Sequence, residues 1–218
     1  MRMKKTVAFF TVCLIPLAVV SDIVRFDGFR LGETPPGWLT SITGKGEPKW
    51  EVVSDETAPS KSQALKQSGE TPKASFPICL KQGESLKDGW VEVKFKPVSG
   101  KIDQAGGVVW RAKDKDNYYV CRANALEDNV VLYKTEGGKR KALDIVGRSG
   151  GYGVDTKVTP GQWHTIRVEF SGPRFKVILD GKELFVVEDS TFTDAGMVGL
   201  WTKADSVTLF DDFGFGKE

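Results

Sequence analysis

The residues best suited to chemistry cluster in three stretches, 104–111, 116–129 and 199–206, where Arg111, Arg122, Asn124 and Lys203 alternate with Trp110, Tyr118, Tyr119 and Trp201. Aromatic rings stack on the apolar faces of pyranoses, and guanidinium and amide forks bond sugar hydroxyls. Alternation along 118–125 predicts Tyr118, Val120, Arg122 and Asn124 on one face of a strand. Tyr119, Cys121, Ala123 and Ala125, small and apolar enough for a core, take the other. The first face, joined by Arg111 from a neighbouring strand and by Trp201 and Lys203 from another, is the candidate ligand surface. The competing reading is a solvated sheet face whose cations pair with acids.

Other residue types offer less. Glu127-Asp128-Asn129 reads as a turn, or as a rim of acceptors for sugar hydroxyls. Adjacent carboxylates on an extended chain point in opposite directions, so neither Glu127-Asp128 nor Glu188-Asp189 makes a facing pair. His164, the single histidine, is in phase with Ile166, Val168 and Phe170 and has no Cys or second His beside it, so it reads as a hydrogen-bonded core residue. Asp211 is in phase with Val207, Leu209 and Phe213, which places a carboxylate on an apolar face unless a bulge intervenes; a buried charge needs a partner. Gly150-Gly151-Tyr152-Gly153 is a turn at the edge of the candidate surface and has no phosphate-loop pattern.

The elements that must position these residues are strands. Val91, Val93 and Phe95 alternate with charged residues, as do Ile166, Val168 and Phe170, then Phe175, Val177 and Leu179. Asp180-Gly181 is a hairpin turn because both residues tolerate positive φ. No window carries a helical stripe. The expected fold is all-β, a two-sheet antiparallel jelly-roll sandwich spanning residues 22–218 as one domain, with the looser stretch 33–73 packed over it through Trp38 and Trp50.

Met1-Arg2-Met3-Lys4-Lys5 followed by the uncharged run 6–20 has the layout of a signal peptide over residues 1–21, cleaved near Ser21, and the run is too short to span a bilayer with ease. The expected location is therefore periplasmic or secreted, with no membrane span after cleavage. The full chain has 31 basic and 29 acidic residues; loss of Arg2, Lys4 and Lys5 leaves 28 against 29, a net charge of −1. That balance carries no electrostatic footprint for nucleic acid. Cys79 and Cys121 survive cleavage, either as buried thiols or as a disulfide that export would permit.

Taken as an ordered set, Phe26-Asp27, Trp50-Glu51-Val52, 107–111, Asn117-Tyr118-Tyr119, Arg122-Ala123-Asn124, Trp163-His164-Thr165, Leu179-Asp180-Gly181 and 199–203 resemble an exported bacterial group of the concanavalin A-like lectin/glucanase superfamily. The resemblance is to laminin-G-like domains and to the family labelled 3-keto-disaccharide hydrolase. It implies a jelly roll with a concave, glycan-holding face, and first and last strands that are neighbours. It also implies a candidate structural Ca²⁺ near Asp27 and Asp211, with no other cofactor. The superfamily's glucanases carry Glu-x-Asp-x-Glu or Glu-x-Asp-x-x-Glu strands, and this chain has neither.

Three functions follow as expectations. The first is non-catalytic binding of a carbohydrate or glycoconjugate through Arg111, Tyr118, Arg122, Asn124, Trp201 and Lys203. The second is cleavage of 3-keto-glycosides, in which the keto group acidifies a neighbouring C–H, with Glu127 or Asp205 as base and Arg122 or Lys203 as oxyanion stabiliser. The third is a protein-binding envelope module with a flat face.

Overall fold

The computed structural model describes residues 21–217, and all regular structure among them is β. The signal-peptide segment lies, but for Ser21, outside the described residues. The strands are β1 (Ser21–Val24), β2 (Trp38–Thr43), β3 (Trp50–Ser54), β4 (Gln63–Gln67), β5 (Phe76–Lys81), β6 (Gly89–Ser99), β7 (Ala105–Asp114) and β8 (Asn117–Asn124). They continue as β9 (Asn129–Glu136), β10 (Lys139–Ala142), β11 (Val154–Asp155), β12 (His164–Ser171), β13 (Arg174–Leu179), β14 (Lys182–Glu188), β15 (Met197–Trp201) and β16 (Val207–Gly216). One antiparallel sheet runs β14-β13-β12-β6-β16-β4-β3, with β1 also on β16; the other runs β10-β9-β8-β7-β15-β5-β2, with β11 on β9. First and last strands are thus neighbours, Val24 opposite Phe213.

The alternating residues point where their period requires. Val91, Val93, Phe95, Ile166, Val168, Phe170, Phe175 and Val177 from the first sheet meet Val108, Trp110, Tyr119, Cys121, Leu132 and Leu200 from the second in one inter-sheet core. Trp110 anchors it, with ring centroids 5.5 Å from Tyr119, 6.0 Å from Phe170 and 5.4 Å from Phe175. Asp180 and Gly181 both adopt positive φ in the β13–β14 turn. The stretch 33–73 is not a loose cover: it supplies β2, β3 and β4, and Trp38 and Trp50 are buried in the core.

The second sheet has a further property that alternation does not convey. Its outward face carries its own apolar cluster of Phe76, Ile78, Leu80, Val109, Tyr118, Val120, Val131, Tyr133 and Trp201. The sheet curls until distant strands touch: Thr43 Oγ1 at the end of β2 donates to the Lys115 carbonyl beside β8 (2.5 Å) and bonds the Tyr118 hydroxyl (2.8 Å). Arg140 on β10 lies over Phe76 on β5, at 4.5 Å from the ring centroid. Glycines on the inner side permit close strand approach. A Cβ at Gly107 would stand 2.2 Å from the Cys121 carbonyl oxygen and 2.9 Å from Arg122 Cβ.

Two bulges overturn simple alternation. A register shift between Asp211 and Gly214, with Asp212 at φ 44°, moves Phe213 into the inter-sheet core beside Phe210 and leaves Asp211 on the other face with Leu209, beneath Ser60. The second, between Trp110 and Asp114 with Arg111 at φ 47°, removes Arg111 from the face of Val109. Cys79 and Cys121 are buried free thiols, separated by β15 and β7, so about three strand spacings of ~4.8 Å lie between them and no disulfide can form.

Gly107→Ala should destabilise the fold by about 1–3 kcal/mol, read as a lower midpoint in urea unfolding. An unchanged midpoint would show that β7 and β8 have room that the strand pairing denies.

Candidate functional site

The curled sheet brings most of the expected ligand residues onto one face, but not to solvent. Tyr118, Asn124 and Trp201 are 0% exposed, Arg122 is 2% exposed, and each has a protein environment to account for it. Asn124 donates to Asp103 Oδ1 (2.7 Å) and accepts from Gln104 N and Leu126 N, so its amide is engaged in shaping the turn after β8. Arg122 bonds Asn129 through Nη1. Its Nη2 bonds Glu127 Oε2 (2.8 Å), the Tyr133 hydroxyl (3.0 Å) and the Tyr152 hydroxyl (3.1 Å). Tyr133 and Tyr152 also bond each other, which is how the Gly-rich loop 150–153 is tied to the sheet.

Arg111 does not join them. The bulge sends its guanidinium to the carbonyls of Lys87 (2.7 Å), Phe192 (2.9 Å) and Gly172 (2.8 Å) and to Asp88 (3.2 Å), across the Phe170 and Phe175 rings of the inter-sheet core. It ties the connections at one end of the sandwich together. Alternation assigns it to the ligand face only if β7 is regular, and β7 is not.

The two candidate bases differ in position but are alike in being engaged. Asp205 accepts from the backbone N–H groups of Lys101, Ile102 and Asp103 (2.6 to 3.1 Å). Burial alone would raise its pKa, and those donors hold it below the ordinary 3.8. It fastens a turn and does not face Arg122. Glu127 does meet Arg122. Burial again opposes ionisation, but the Arg122 charge, the Asn129 amide and the Lys203 charge together lower its pKa below 4.5, which makes it a weak proton acceptor near neutrality. Lys203 pairs with Asp103 at 2.6 Å.

Asp27 and Asp211 converge, as expected, but on hydrogen-bond donors. Asp27 accepts from Ser60 Oγ (2.5 Å) and Ser62 N (3.0 Å); Asp211 accepts from Ser60 N (2.8 Å) and Asp212 N (2.8 Å). All four carboxylate oxygens face donors, so this arrangement does not fit a calcium ion, which needs six to eight oxygen ligands. Among the described residues no group of three or more His, Cys, Asp or Glu is placed to hold a metal. His164 is buried, with Nδ1 at 2.8 Å from Asp180 and Nε2 at 3.1 Å from the Thr159 carbonyl.

The residue that sequence reasoning missed is Arg140. It sits over Tyr133 (4.1 Å), Phe76 (4.5 Å) and Trp201 (5.3 Å), three rings from β9, β5 and β15. Beneath it, the Tyr118 hydroxyl is surrounded by Thr43, Thr135 and Trp201. Burial raises the Tyr118 pKa, and these three partners and the Arg140 charge only offset that rise. Trp201 Nε1 and Thr135 Oγ1 approach that hydroxyl without the geometry of a sound hydrogen bond, and Arg140 Nη1, also buried, has no acceptor. Trp50 and Trp110 leave an Nε1 unpaired too, but those lie within the inter-sheet core. Here three such atoms line one curled face, which opens through a cleft of about 410 Å³ lined by Lys73, Ala74, Phe76, Gly138, Arg140 and Lys203. Of the six expected ligand residues, Lys203 alone reaches that opening. The signal for Arg140 was its place opposite Thr135 across the Gly137-Gly138 turn, which brings it onto the Tyr133 face.

The family model for the 3-keto-alpha-glucoside-1,2-lyase-like domain matches residues 23–213. The chain belongs to that family. No curated protein matches it. Among solved structures, this lyase-like domain is similar to the carbohydrate-binding module CBM66 from Bacillus subtilis, at 22% identity and TM-score 0.61 over 81% of this chain and 93% of that one. It is also similar to the Bacillus licheniformis beta-glucanase, at 13% identity and TM-score 0.55 over 91% and 98%. A third likeness is to the cellulose induced protein Cip1, at 13% identity and TM-score 0.61 over 91% and 97%. These likenesses show the fold, a two-sheet jelly-roll sandwich.

Arg122→Met, which keeps the apolar stem but strands Glu127 and the two tyrosines, should cost about 3 kcal/mol in denaturant unfolding; Glu127→Gln should cost less, about 1 kcal/mol, because Glu127 remains partly solvated. Equal costs would show that the carboxylate, not the tyrosine pair, holds Arg122. Acid should also unfold the protein. Asp205, Glu127 and Asp189 have lowered folded pKa values, so their contribution is complete above the ordinary 3.8 to 4.5 and is lost as pH falls through the folded values. Asp211, raised chiefly by burial, acts in the opposite sense, its contribution fading as pH rises above 3.8. Melting temperature should therefore fall between about pH 5 and pH 3; a rise would show that Asp211 dominates.

Proposed function

We propose that this domain is an exported carbohydrate-binding protein that holds a glycan, without cleaving it, at the cleft of the curled sheet. The observation that carries this reading is the stack of Arg140 on Phe76, Tyr133 and Trp201, with its Nη1 donor unpaired beside the cleft. A sugar ring offers the two things such a stack lacks, hydroxyl acceptors for the part of the guanidinium that lines the opening and C–H faces for the rim of Phe76. The likeness to a carbohydrate-binding module supports the choice of ligand, and the presence of a cleft favours a glycan over the flat contact of a protein-binding module. Export is part of the proposal and rests on the layout of residues 1–21.

Family membership favours a second reading, lyase or hydrolase action on a 3-keto-glycoside. Elimination from such a substrate needs a free base and a free oxyanion donor. Asp205 is committed to three backbone donors and Glu127 to Arg122, while both Arg122 terminal nitrogens are engaged by protein acceptors. These engagements support binding over turnover.

The deciding experiment incubates the protein with oligosaccharides and their 3-keto derivatives, following product release and thermal stabilisation together. The expected result is stabilisation without turnover, weakened about tenfold in apparent affinity by Phe76→Leu, which keeps apolar volume but removes the ring. Turnover of a 3-keto substrate that is lost in Glu127→Gln would replace the binding reading with the catalytic one.

A further inference from the structure

Accepting the cleft as a glycan site, we infer that its ligand is acidic, a sugar bearing a carboxylate or sulfate group that docks on Arg140. Phe76 and Tyr133 lie within 4.5 Å of the guanidinium carbon, and Trp201 is at 5.3 Å. Stacking occupies the faces of the planar guanidinium; Nη1 is buried, but Arg140 as a whole is half-buried and lines the opening, and a guanidinium met at its open edge takes an oxyanion through charge-assisted bonds. Among the described residues no carboxylate forms an ion pair with Arg140, and Nη1 has no acceptor of any kind. A buried donor on a permanent cation is costly to leave unmatched, and a neutral hydroxyl matches its charge less well than an anion does.

The rest of the cleft has the same sign. Lys73 and Lys203 line it with Arg140, and no acid does. Two carboxylates stand nearby, and both are engaged: Asp103 holds Lys203 at 2.6 Å, and Asp116, beside Gly138, holds Lys115 at 2.6 Å. What remains unneutralised at the opening is Arg140 with Lys73. This local excess contrasts with the net charge of −1 left by signal-peptide removal, so it is a property of the cleft and not of the surface at large.

The test is affinity electrophoresis of the full chain and its processed form through two matched polymer pairs, polygalacturonate against its fully methyl-esterified form and dextran sulfate against dextran. The acidic member of at least one pair should retard the protein at a concentration ten or more times lower than its neutral partner; the pair that responds identifies carboxylate or sulfate as the group. Arg140→Gln should remove most of that preference, and Arg140→Lys, which keeps charge but not the fork, should restore part of it. Lys141→Gln, on an exposed neighbour outside the cleft, should leave the preference unchanged. Should Arg140→Gln fail to fold, Lys73→Gln on the exposed rim reads the same preference and should lower it severalfold. Equal retardation by acidic and neutral members, or equal effects of Arg140→Gln and Lys141→Gln, overturns the acidic assignment and leaves the glycan site standing. No retardation by any of the four polymers overturns both.

Discussion

The closure of the curled sheet on itself is the constraint from which the rest of this molecule follows. A flat sheet in a sandwich buries one face and leaves the other to water. Here Thr43 reaches from β2 to Lys115 and Tyr118, and Arg140 reaches from β10 across to Phe76, so the outward face becomes a second interior. Residues on that face must then obey the rules of a core, with polar groups partnered and volumes matched. Arg122 satisfies them through Asn129, Glu127 and two tyrosines, and Gly107 satisfies them by having no side chain to place between Trp201 and Arg122.

This explains how far the sequence could be read. Period-two alternation reports which side of a sheet a residue takes, and it assigned Tyr118, Arg122 and Asn124 to one face of β8 and Tyr119, Cys121 and Ala123 to the inter-sheet core correctly. It does not report what covers a face. Curvature depends on contacts between residues more than seventy positions apart, such as Thr43 with Tyr118, and nothing local in either segment announces them. The same limit hid Arg140, whose meaning comes from rings on three other strands. Arg111 was misplaced for a different reason, whereas for Asp211 the bulge was the condition attached to its reading. Each sits at a bulge, and a single inserted residue reverses every assignment beyond it.

The ionised residues divide by role along the same lines. Asp27, Asp103, Asp189, Asp205 and Asp211 each accept from donors on another segment, binding loops to strands. Such carboxylates are acceptors fixed in place, with little freedom to exchange protons in a reaction cycle. Glu127 is more open to solvent than these five, and its partner Arg122 is a nearly fully enclosed cation of the curled face.

Arg140 is where the architecture and the proposed recognition meet. Its stack on Phe76 and Tyr133 fastens the outer strand β10 toward β5, so the contact that closes the curl also fixes the guanidinium before any ligand arrives. A free arginine loses considerable rotamer entropy on binding, whereas one already held between rings has lost it during folding. The closure thus sets the direction of the unpaired donor as well as the shape of the cleft. A ligand that matches this donor would reinforce the closure, and one that fails to match it would meet a cleft whose floor is already filled by protein.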